Sequence, residues 1–280
     1  MAKEIFGANL KMNPVCNVGG NSLFDISKLF REYENYGIKS GGDKEVIAFV
    51  PLIFVHGLRT LESANVNHFA GIKLGAQDVS EHLSGAHTGE TSPFWLREYG
   101  IDDVLIGHSE VRDWYEKLII SANGNIIGTI DDMFNRKIIN ALKHGLRVTY
   151  CVGETAEEKE SGLTFDVLKR QIEKGLKDTQ SLDGKIIIAY EPRWSIGGNK
   201  PTPTPKEIQE VHEYIRETIL KLIMPHSYRS NYYCEPVIYG GSMKPENAAQ
   251  IMGTKGVNGG LIGSASLDAE KFAKIVNYDR

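Results

Sequence analysis

Short runs of apolar residues recur along the chain, and each is followed by a longer stretch with helical spacing of its apolar positions. Most runs are continuously apolar instead of alternating, as expected for parallel strands that are buried on both faces. The pattern predicts strands in the segments EIFGAN from Glu4, EVIAFV from Glu45, IKLGAQ from Ile72, DDVLIG from Asp102, RVTYCV from Arg147, KIIIAY from Lys185, PVIYGG from Pro236 and GGLIGS from Gly259.

Amphipathic helices are predicted between these strands, for example over residues 131–144, 204–223 and 268–276. The second of them has clear start signals. Thr204 is a candidate N-cap, Pro205 occupies the first helical position and Glu207 stands at the capping-box position. Its first residue is therefore expected at or next to Thr204.

Strand-then-helix units without a fixed repeat favour an α/β fold with one closed (β/α)8 barrel, and we expect residues 1–280 to form a single domain. A Rossmann-type open sheet would need GxGxxG after its first strand, where this chain has NLKMNP. Glycine, asparagine and serine predict surface loops over residues 17–21, 36–44, 118–129 and 225–235.

Composition narrows the possible partners and the cellular setting. The chain is 41% hydrophobic with a formal charge of -4, so neither nucleic acid nor an anionic membrane is an expected partner. The longest uncharged apolar run, 46–58, contains Pro51 and is too short to span a bilayer. Three widely spaced cysteines indicate neither a disulfide framework nor a zinc site, which favours a reducing, cytoplasmic setting.

Reactive groups of a (β/α)8 barrel lie at the carboxyl ends of its strands, where side chains from different strands converge. Polar and small residues follow most of the predicted strands. In chain order they are Asn9, Lys11, Gln77, His108, Ser109, Cys151, Glu154, Glu191, Ser242, Gly263 and Ser264.

One carboxylate, one imidazole, one ammonium group and several backbone donors would suit proton abstraction beside the carbonyl of a phosphorylated substrate. Glu191 would take the proton, His108 would polarise the carbonyl, and Lys11 would stabilise the negative charge of an enediolate. The segments YGGSMKPENA and GLIGSASLD place glycine and serine before predicted helices, where backbone N–H groups can bind phosphate.

Several motifs follow one another along the whole chain. They are ANLKMN from Ala8, GAQDVS from Gly75, SGAHTGETS from Ser84, IGHSE from Ile106, CVGE from Cys151, AYEPRWSIG from Ala189, QEVH from Gln209, YGGSM from Tyr239 and GLIGSASL from Gly260. Together, and in this order, they resemble the triosephosphate isomerase family. The resemblance implies a homodimeric aldose–ketose isomerase that acts on a small phosphorylated sugar and uses neither cofactor nor metal.

The resemblance also implies a role for individual residues. Catalysis is expected from His108 as electrophile and Glu191 as base, with a neutral imidazole as is known for this family. Substrate contacts or support are expected from Asn9, Lys11, Glu110, Gly197, Ser242, Gly263 and Ser264, and residues 194–200 would form a lid. Thr88 is expected near the tip of a loop, 84–92, that reaches the partner subunit.

Several positions depart from the family pattern. Val111 stands where the family usually carries an arginine, and Ser264 stands where it carries a second glycine. Arg193 replaces a small apolar residue at the lid, where it could reach solvent, a neighbouring loop or the substrate. The lid continues into PTPTP.

The departures leave three hypotheses open. The first is interconversion of dihydroxyacetone phosphate and glyceraldehyde 3-phosphate. The second is the same chemistry on a tetrulose phosphate, which is one carbon longer, as in the erythrulose phosphate and erythrose 4-phosphate pair. The third is a barrel that binds a phosphometabolite without turning it over.

Overall fold

Parallel strands close into a barrel in which each strand pairs with its neighbour in sequence and the last pairs with the first. The computed structural model describes residues 3–13, 26–63, 69, 71–122, 128–179, 186–197, 200–223 and 236–279, with only the backbone at 60–63. The strands are β1 (Glu4–Asn9), β2 (Lys44–Val50), β3 (Lys73–Ala76), β4 (Asp103–Ile106), β5 (Arg147–Val152), β6 (Ile186–Tyr190), β7 (Val237–Tyr239) and β8 (Gly259–Ile262). This closed parallel topology confirms the predicted (β/α)8 barrel class.

Helices follow the strands and pack around the barrel. They are α1 (Ile26–Asn35), α2 (Leu52–Ser63), α3 (Pro93–Glu98), α4 (Ser109–Ser121), α5 (Thr129–Lys143), α6 (Ala156–Glu160), α7 (Thr164–Gly175), α8 (Pro205–Ile223), α9 (Pro245–Met252) and α10 (Ala269–Val276). Short 3₁₀ turns occupy Arg193–Ser195, after β6, and Ser264–Leu267, after β8.

The helix that follows the lid begins as its capping signals predict. The Thr204 amide donates to Glu207 Oε2 at 2.8 Å, and the Glu207 amide donates back to Thr204 Oγ1 at 3.3 Å. The backbone hydrogen bond from Thr204, together with Lys159, lowers the pKa of Glu207 to about 2. The carboxylate therefore stays charged at the positive end of α8.

The loop predicted over residues 118–129 is wrong at both ends. Helix α4 continues to Ser121, and α5 already begins at Thr129. Apolar residues near the end of α4 extend the helix, whereas residues 123–127 lie outside the described part of the chain. The predicted loops 17–21 and 225–235 also lie outside it, as do Cys16 and Cys234.

Two apolar layers hold the barrel together. Alternate strand residues point inward and fill its centre, and the residues between them pack against the surrounding helices. The inner layer contains Ile5, Ile47, Phe49, Leu105, Cys151, Ile187, Ala189, Ile238 and Leu261. Within the described residues, no helix is long and apolar enough to cross a membrane.

Charged side chains close the opposite end of the barrel, at the amino ends of the strands. Arg147 Nε donates to Asp103 at 2.6 Å and also pairs with Glu45, which Lys73 contacts at 3.0 Å. Burial alone would raise the pKa of Glu45, but Arg147 and Lys73 lower it to about 2. These ion pairs stabilise the amino ends of the strands. The functional site of a (β/α)8 barrel is expected at the opposite, carboxyl ends.

Candidate active site

A cavity of about 340 Å³ opens at the carboxyl ends of the strands. It brings together residues from the first, fourth, sixth, seventh and eighth strand ends. The predicted residues that line it are Asn9, Lys11, His108, Glu191, Gly197, Ser242, Gly263 and Ser264. Neither Glu110 nor Thr88 is among the lining residues, although Glu110 contacts one of them.

His108 caps the amino end of α4 and is almost completely buried, with 6% of its surface exposed. Its Nδ1 accepts a hydrogen bond from the Glu110 amide at 3.2 Å. A ring nitrogen that accepts from an amide carries no proton, so this bond assigns the proton to Nε2. The imidazole thus presents an N–H donor on its other side.

Glu191 follows β6, and its carboxylate lies against His108. Oε1 is 3.2 Å from His108 Nε2, and Oε2 accepts from the Ser109 amide at 2.8 Å. Pro192 restricts the backbone of Glu191 to extended conformations. A buried carboxylate held by two donors is placed at one wall of the cavity.

Cys151 lies behind this carboxylate in the barrel interior. Burial, followed by the charge of Glu191, raises the pKa of the Cys151 thiol. The thiol is therefore protonated at neutral pH and does not compete with Glu191 as a base.

Lys11 adopts a left-handed backbone conformation, with φ of 50°, which is unusual for a residue with a Cβ. Two hydrogen bonds hold this geometry: the Lys11 amide donates to Asn9 Oδ1 at 3.1 Å, and Gln77 donates to the Lys11 carbonyl at 3.0 Å. Its Nζ is 2.6 Å from Glu110 Oε1. The strained backbone places the ammonium group at the cavity, as often occurs at functional sites.

The opposite wall of the cavity is rich in backbone groups. Ser242 Oγ donates to the Ser195 carbonyl at 3.0 Å, which connects this wall to the segment after Glu191. Gly263 and Ser264 stand at the start of the second 3₁₀ turn, where the first N–H groups have no acceptor within the turn. Such N–H groups suit an anionic ligand.

Ser264 is compatible with this wall. It is not among the residues with positive φ, so its side chain imposes no backbone strain. The serine is exposed on the cavity side and keeps the N–H that glycine would supply.

The segment predicted as a lid, residues 194–200, is described except at 198–199. Trp194 Nε1 donates to Glu154 Oε1 at 2.7 Å, and Lys159 Nζ lies 3.4 Å from the centre of its ring. Arg193, directly before it, is not among the residues that line the described cavity, and its guanidinium group ion-pairs with Asp113 and Glu116 on α4.

The replacement of an arginine by Val111 leaves the neighbouring Arg112 intact. Arg112 is buried and pairs with Asp131 at 2.7 Å while donating to the carbonyls of Gly107 and Cys151 at 3.1 Å. Val111 packs against the apolar core. The remaining arginine therefore fixes the start of α4 to the ends of β4 and β5.

Sequence reasoning missed several cavity residues. Asn13 and Lys244 contribute polar groups, whereas Ile196, Leu261 and Leu267 form an apolar wall. Asn13 lies within the motif ANLKMN and Lys244 within YGGSMKPENA, but their side chains gave no separate signal. Residues 82–90, which include Thr88, are exposed in the single chain.

Comparison with known proteins agrees with this geometry. The family described as "Triosephosphate isomerase" matches residues 4–279. A triosephosphate isomerase of Caldanaerobacter subterraneus subsp. tengcongensis is 39% identical over 279 residues, covering 99% of this chain and 100% of the relative. One of Treponema denticola is 39% identical over 279 residues, with 99% of each chain covered, and one of Thermoanaerobacter pseudethanolicus is 42% identical over 208 residues, or 74% and 77%. With its closed barrel and a match along nearly its whole length, this chain belongs to the triosephosphate isomerase family.

Proposed function

We propose that this protein is an aldose–ketose isomerase of the triosephosphate isomerase type, which interconverts dihydroxyacetone phosphate and glyceraldehyde 3-phosphate. The observation that carries the proposal is the 3.2 Å approach of Glu191 Oε1 to His108 Nε2 at the wall of a cavity that Lys11 also lines. Family membership supports the substrate, because the matched relatives bear that name.

Glu191 would act as the base. Its carboxylate takes a proton from C1 of dihydroxyacetone phosphate, and the electron pair of the broken C–H bond forms the C1–C2 double bond of an enediolate. Returning the same proton to C2 completes the aldehyde. Because Glu191 contacts His108 and the Ser109 amide in this structure, the substrate has to replace these contacts when it binds.

His108 would act as the electrophile through Nε2–H. As negative charge develops on the carbonyl oxygen at C2, the Nε2 proton moves to it, and Nε2 then takes the hydroxyl proton from the oxygen at C1. The Glu110 amide, which donates to Nδ1, keeps the imidazole in the tautomer that this exchange requires. A glutamate base with a neutral histidine is the established division of roles in this family.

Lys11 and the glycine-rich wall would bind the charged parts of the substrate. The ammonium group of Lys11 stabilises the enediolate oxygen, and Asn9 supports the loop that carries it. Backbone N–H groups at Gly197, Ser242, Gly263 and Ser264 would hold the phosphate. This proton-transfer chemistry calls for no cofactor.

We also propose that residues 1–280 form one domain and that the protein works as a cytoplasmic homodimer. The pairing of β1 with β8 supports the single domain, because it joins the first and last strands. The exposed residues 82–90 and a side chain of Met12 that is 95% exposed support a second subunit that covers them.

The two competing hypotheses find less support. The tetrulose hypothesis drew on Val111, Arg193 and Ser264, yet Val111 packs on the core, Arg193 binds α4 and Ser264 fits without strain. Of these three residues, only Ser264 lines the cavity. A noncatalytic role would leave the buried Glu191 and His108 pair without a purpose.

Steady-state kinetics with both triose phosphates and with erythrulose phosphate test the substrate. We expect kcat/KM for the triose phosphates to exceed that for erythrulose phosphate by at least about a hundredfold, since positioning of the reacting carbon dominates the rate. A higher value for erythrulose phosphate would favour the tetrulose hypothesis, and no turnover of either sugar would refute both.

The Glu191→Gln variant tests the base. We expect kcat to fall by about 10²-fold to 10⁴-fold, because the amide cannot accept the proton, while the affinity for inorganic phosphate stays within about threefold. Glu173→Gln, at an exposed position on α7, is the matched control and should behave as wild type. Wild-type kcat in Glu191→Gln would show that another group is the base.

A further inference from the structure

Arg193 is largely buried although it carries a charge. Its side chain is 10% exposed, and its guanidinium group reaches from the end of β6 to α4. Nη1 donates to Glu116 Oε1 at 3.0 Å, Nη2 donates to Glu116 Oε2 at 2.5 Å, and Nη2 also pairs with Asp113. A bidentate pair of this kind fixes orientation as well as distance.

The acidic partners of Arg193 lie on the same helix as the group that holds the base. Asp113 and Glu116 are spaced i and i+3, so their side chains lie on one side of α4. The amide that holds Glu191 belongs to Ser109, the first residue of that helix. Glu191 accepts from the Ser109 amide, and Arg193 contacts the other two residues. Two side chains from the segment after β6 therefore bind the first two turns of one helix, Glu191 at its amino end and Arg193 on its side.

The same helix carries the imidazole. His108 caps α4, directly before Ser109, and contacts Glu191 at 3.2 Å. Any sliding of α4 along the segment that follows β6 would change this distance. Arg193 does not line the described cavity, and its guanidinium group is bound to α4, so we place its effect on α4 and not on the substrate.

We propose that Arg193 is a positioning residue that, through Asp113 and Glu116, holds the segment bearing Glu191 in register with the helix bearing His108. The proposal rests on the roles of Glu191 and His108 given above. The backbone hydrogen bond from Arg193 N to the Glu154 carbonyl, at 3.0 Å, anchors the other side of the same residue. With this anchor, the Glu191 carboxylate can exchange the Ser109 amide for the substrate while the segment that carries it stays in place along α4.

A double-mutant cycle on kcat tests this coupling. The two arms are Arg193→Met and the pair Asp113→Asn with Glu116→Gln. Each arm should lower kcat by about tenfold to a hundredfold while KM changes less than about threefold, because misplacement of a reacting group by about 1 Å has this effect. The combined variant should lose no more than about twofold beyond the larger single effect, since both arms remove one interaction.

Two further variants separate positioning from general stability. Arg193→Lys keeps a charge near Glu116 but not the bidentate geometry, so its kcat should lie between those of wild type and Arg193→Met. Lys174→Met breaks an exposed ion pair with Asp132, at 2.9 Å between α7 and α5, and should leave kcat unchanged. Unchanged kcat in Arg193→Met, or losses that multiply in the cycle, would overturn the proposal.

Amide hydrogen exchange supplies a readout that does not need activity. In Arg193→Met, peptides covering residues 191–197 should exchange about tenfold faster than in wild type, because loss of the ion pairs with Asp113 and Glu116 lowers the free energy of local opening. Unchanged exchange in peptides 191–197 would refute the proposed role of the Arg193 ion pairs, even if the variant protein were inactive. Absence of turnover in wild type would instead refute the proposed function.

Discussion

Gly240 offers the sharpest test of how closely the base is packed. It follows β7, and its amide donates to the Tyr190 carbonyl at 2.7 Å, so it lies beside the end of β6. A Cβ at this position would be 2.7 Å from Glu191 Cγ and 3.2 Å from the Tyr190 carbonyl oxygen. Gly240→Ala thus pushes directly on the side chain of the proposed base.

The displacement that Gly240→Ala requires follows from these distances. Ordinary contact begins at 3.4 Å, so Glu191 Cγ or the backbone of Gly240 has to move by about 0.7 Å, the difference from 2.7 Å. Gly240 is not among the glycines with positive φ, so alanine adds no backbone strain of its own. Displacement of a base on this scale should lower kcat by about tenfold to a hundredfold, equivalent to ~1.4 to ~2.7 kcal/mol of transition-state stabilisation.

The assay compares kcat and KM of Gly240→Ala with those of Gly57→Ala. Gly57 lies in α2 with nothing within 4 Å of an added Cβ, so its variant controls for the substitution itself. Circular dichroism and inorganic phosphate binding should show that Gly240→Ala is folded and keeps its phosphate wall. A kcat within about twofold of wild type in a folded variant would refute the tight packing of the base.

Two further predictions concern stability and the phosphate wall. The pKa of Glu45 is about 2 in the folded protein and 4.5 as the ordinary value, so its pairing stabilises the fold above pH 4.5 and is lost as the pH falls toward 2. In urea unfolding, wild type should therefore lose more stability than Glu45→Gln between about pH 5 and about pH 3, by on the order of 1 kcal/mol. Equal losses in the two proteins would contradict the role of Arg147. Because Ser264 has no positive φ, Ser264→Gly should keep kcat/KM within about threefold, and a tenfold change would show that its hydroxyl group contacts the substrate.

The strands were predictable because burial on both faces leaves continuous apolar runs. Both β1 and β5 have the predicted bounds, Glu4–Asn9 and Arg147–Val152. The end of α4 was not predictable in the same way, because Leu118, Ile119 and Ile120 continue the helix although two of them are exposed. Apolar residues on a solvent-facing helix carry no burial signal.

The positions of the site residues were predictable, because the barrel brings the carboxyl ends of its strands together. Their orientations were less predictable, because these depend on contacts with residues that are far away in the sequence. The convergence of Glu191 and His108 follows from their places after β6 and β4. The partners of Arg193 lie 80 and 77 positions earlier in the chain, and no local pattern connects them. The left-handed backbone of Lys11 likewise depends on Gln77, which is 66 positions away.

Helix α4 explains why two of the departures from the family pattern, Val111 and Arg193, are compatible with the contact between Glu191 and His108. It begins at Ser109 beside the cavity and ends at Ser121, about 18 Å further along its axis at 1.5 Å per residue. The far end of α4 therefore lies away from the cavity. Arg112 connects the first turn of α4 to the ends of β4 and β5, and Arg193 connects its second turn to the end of β6. Changes at the far end of α4 should therefore have little effect on the distance between His108 and Glu191. Sequence changes at the far end of α4 are therefore compatible with the proposed isomerase chemistry.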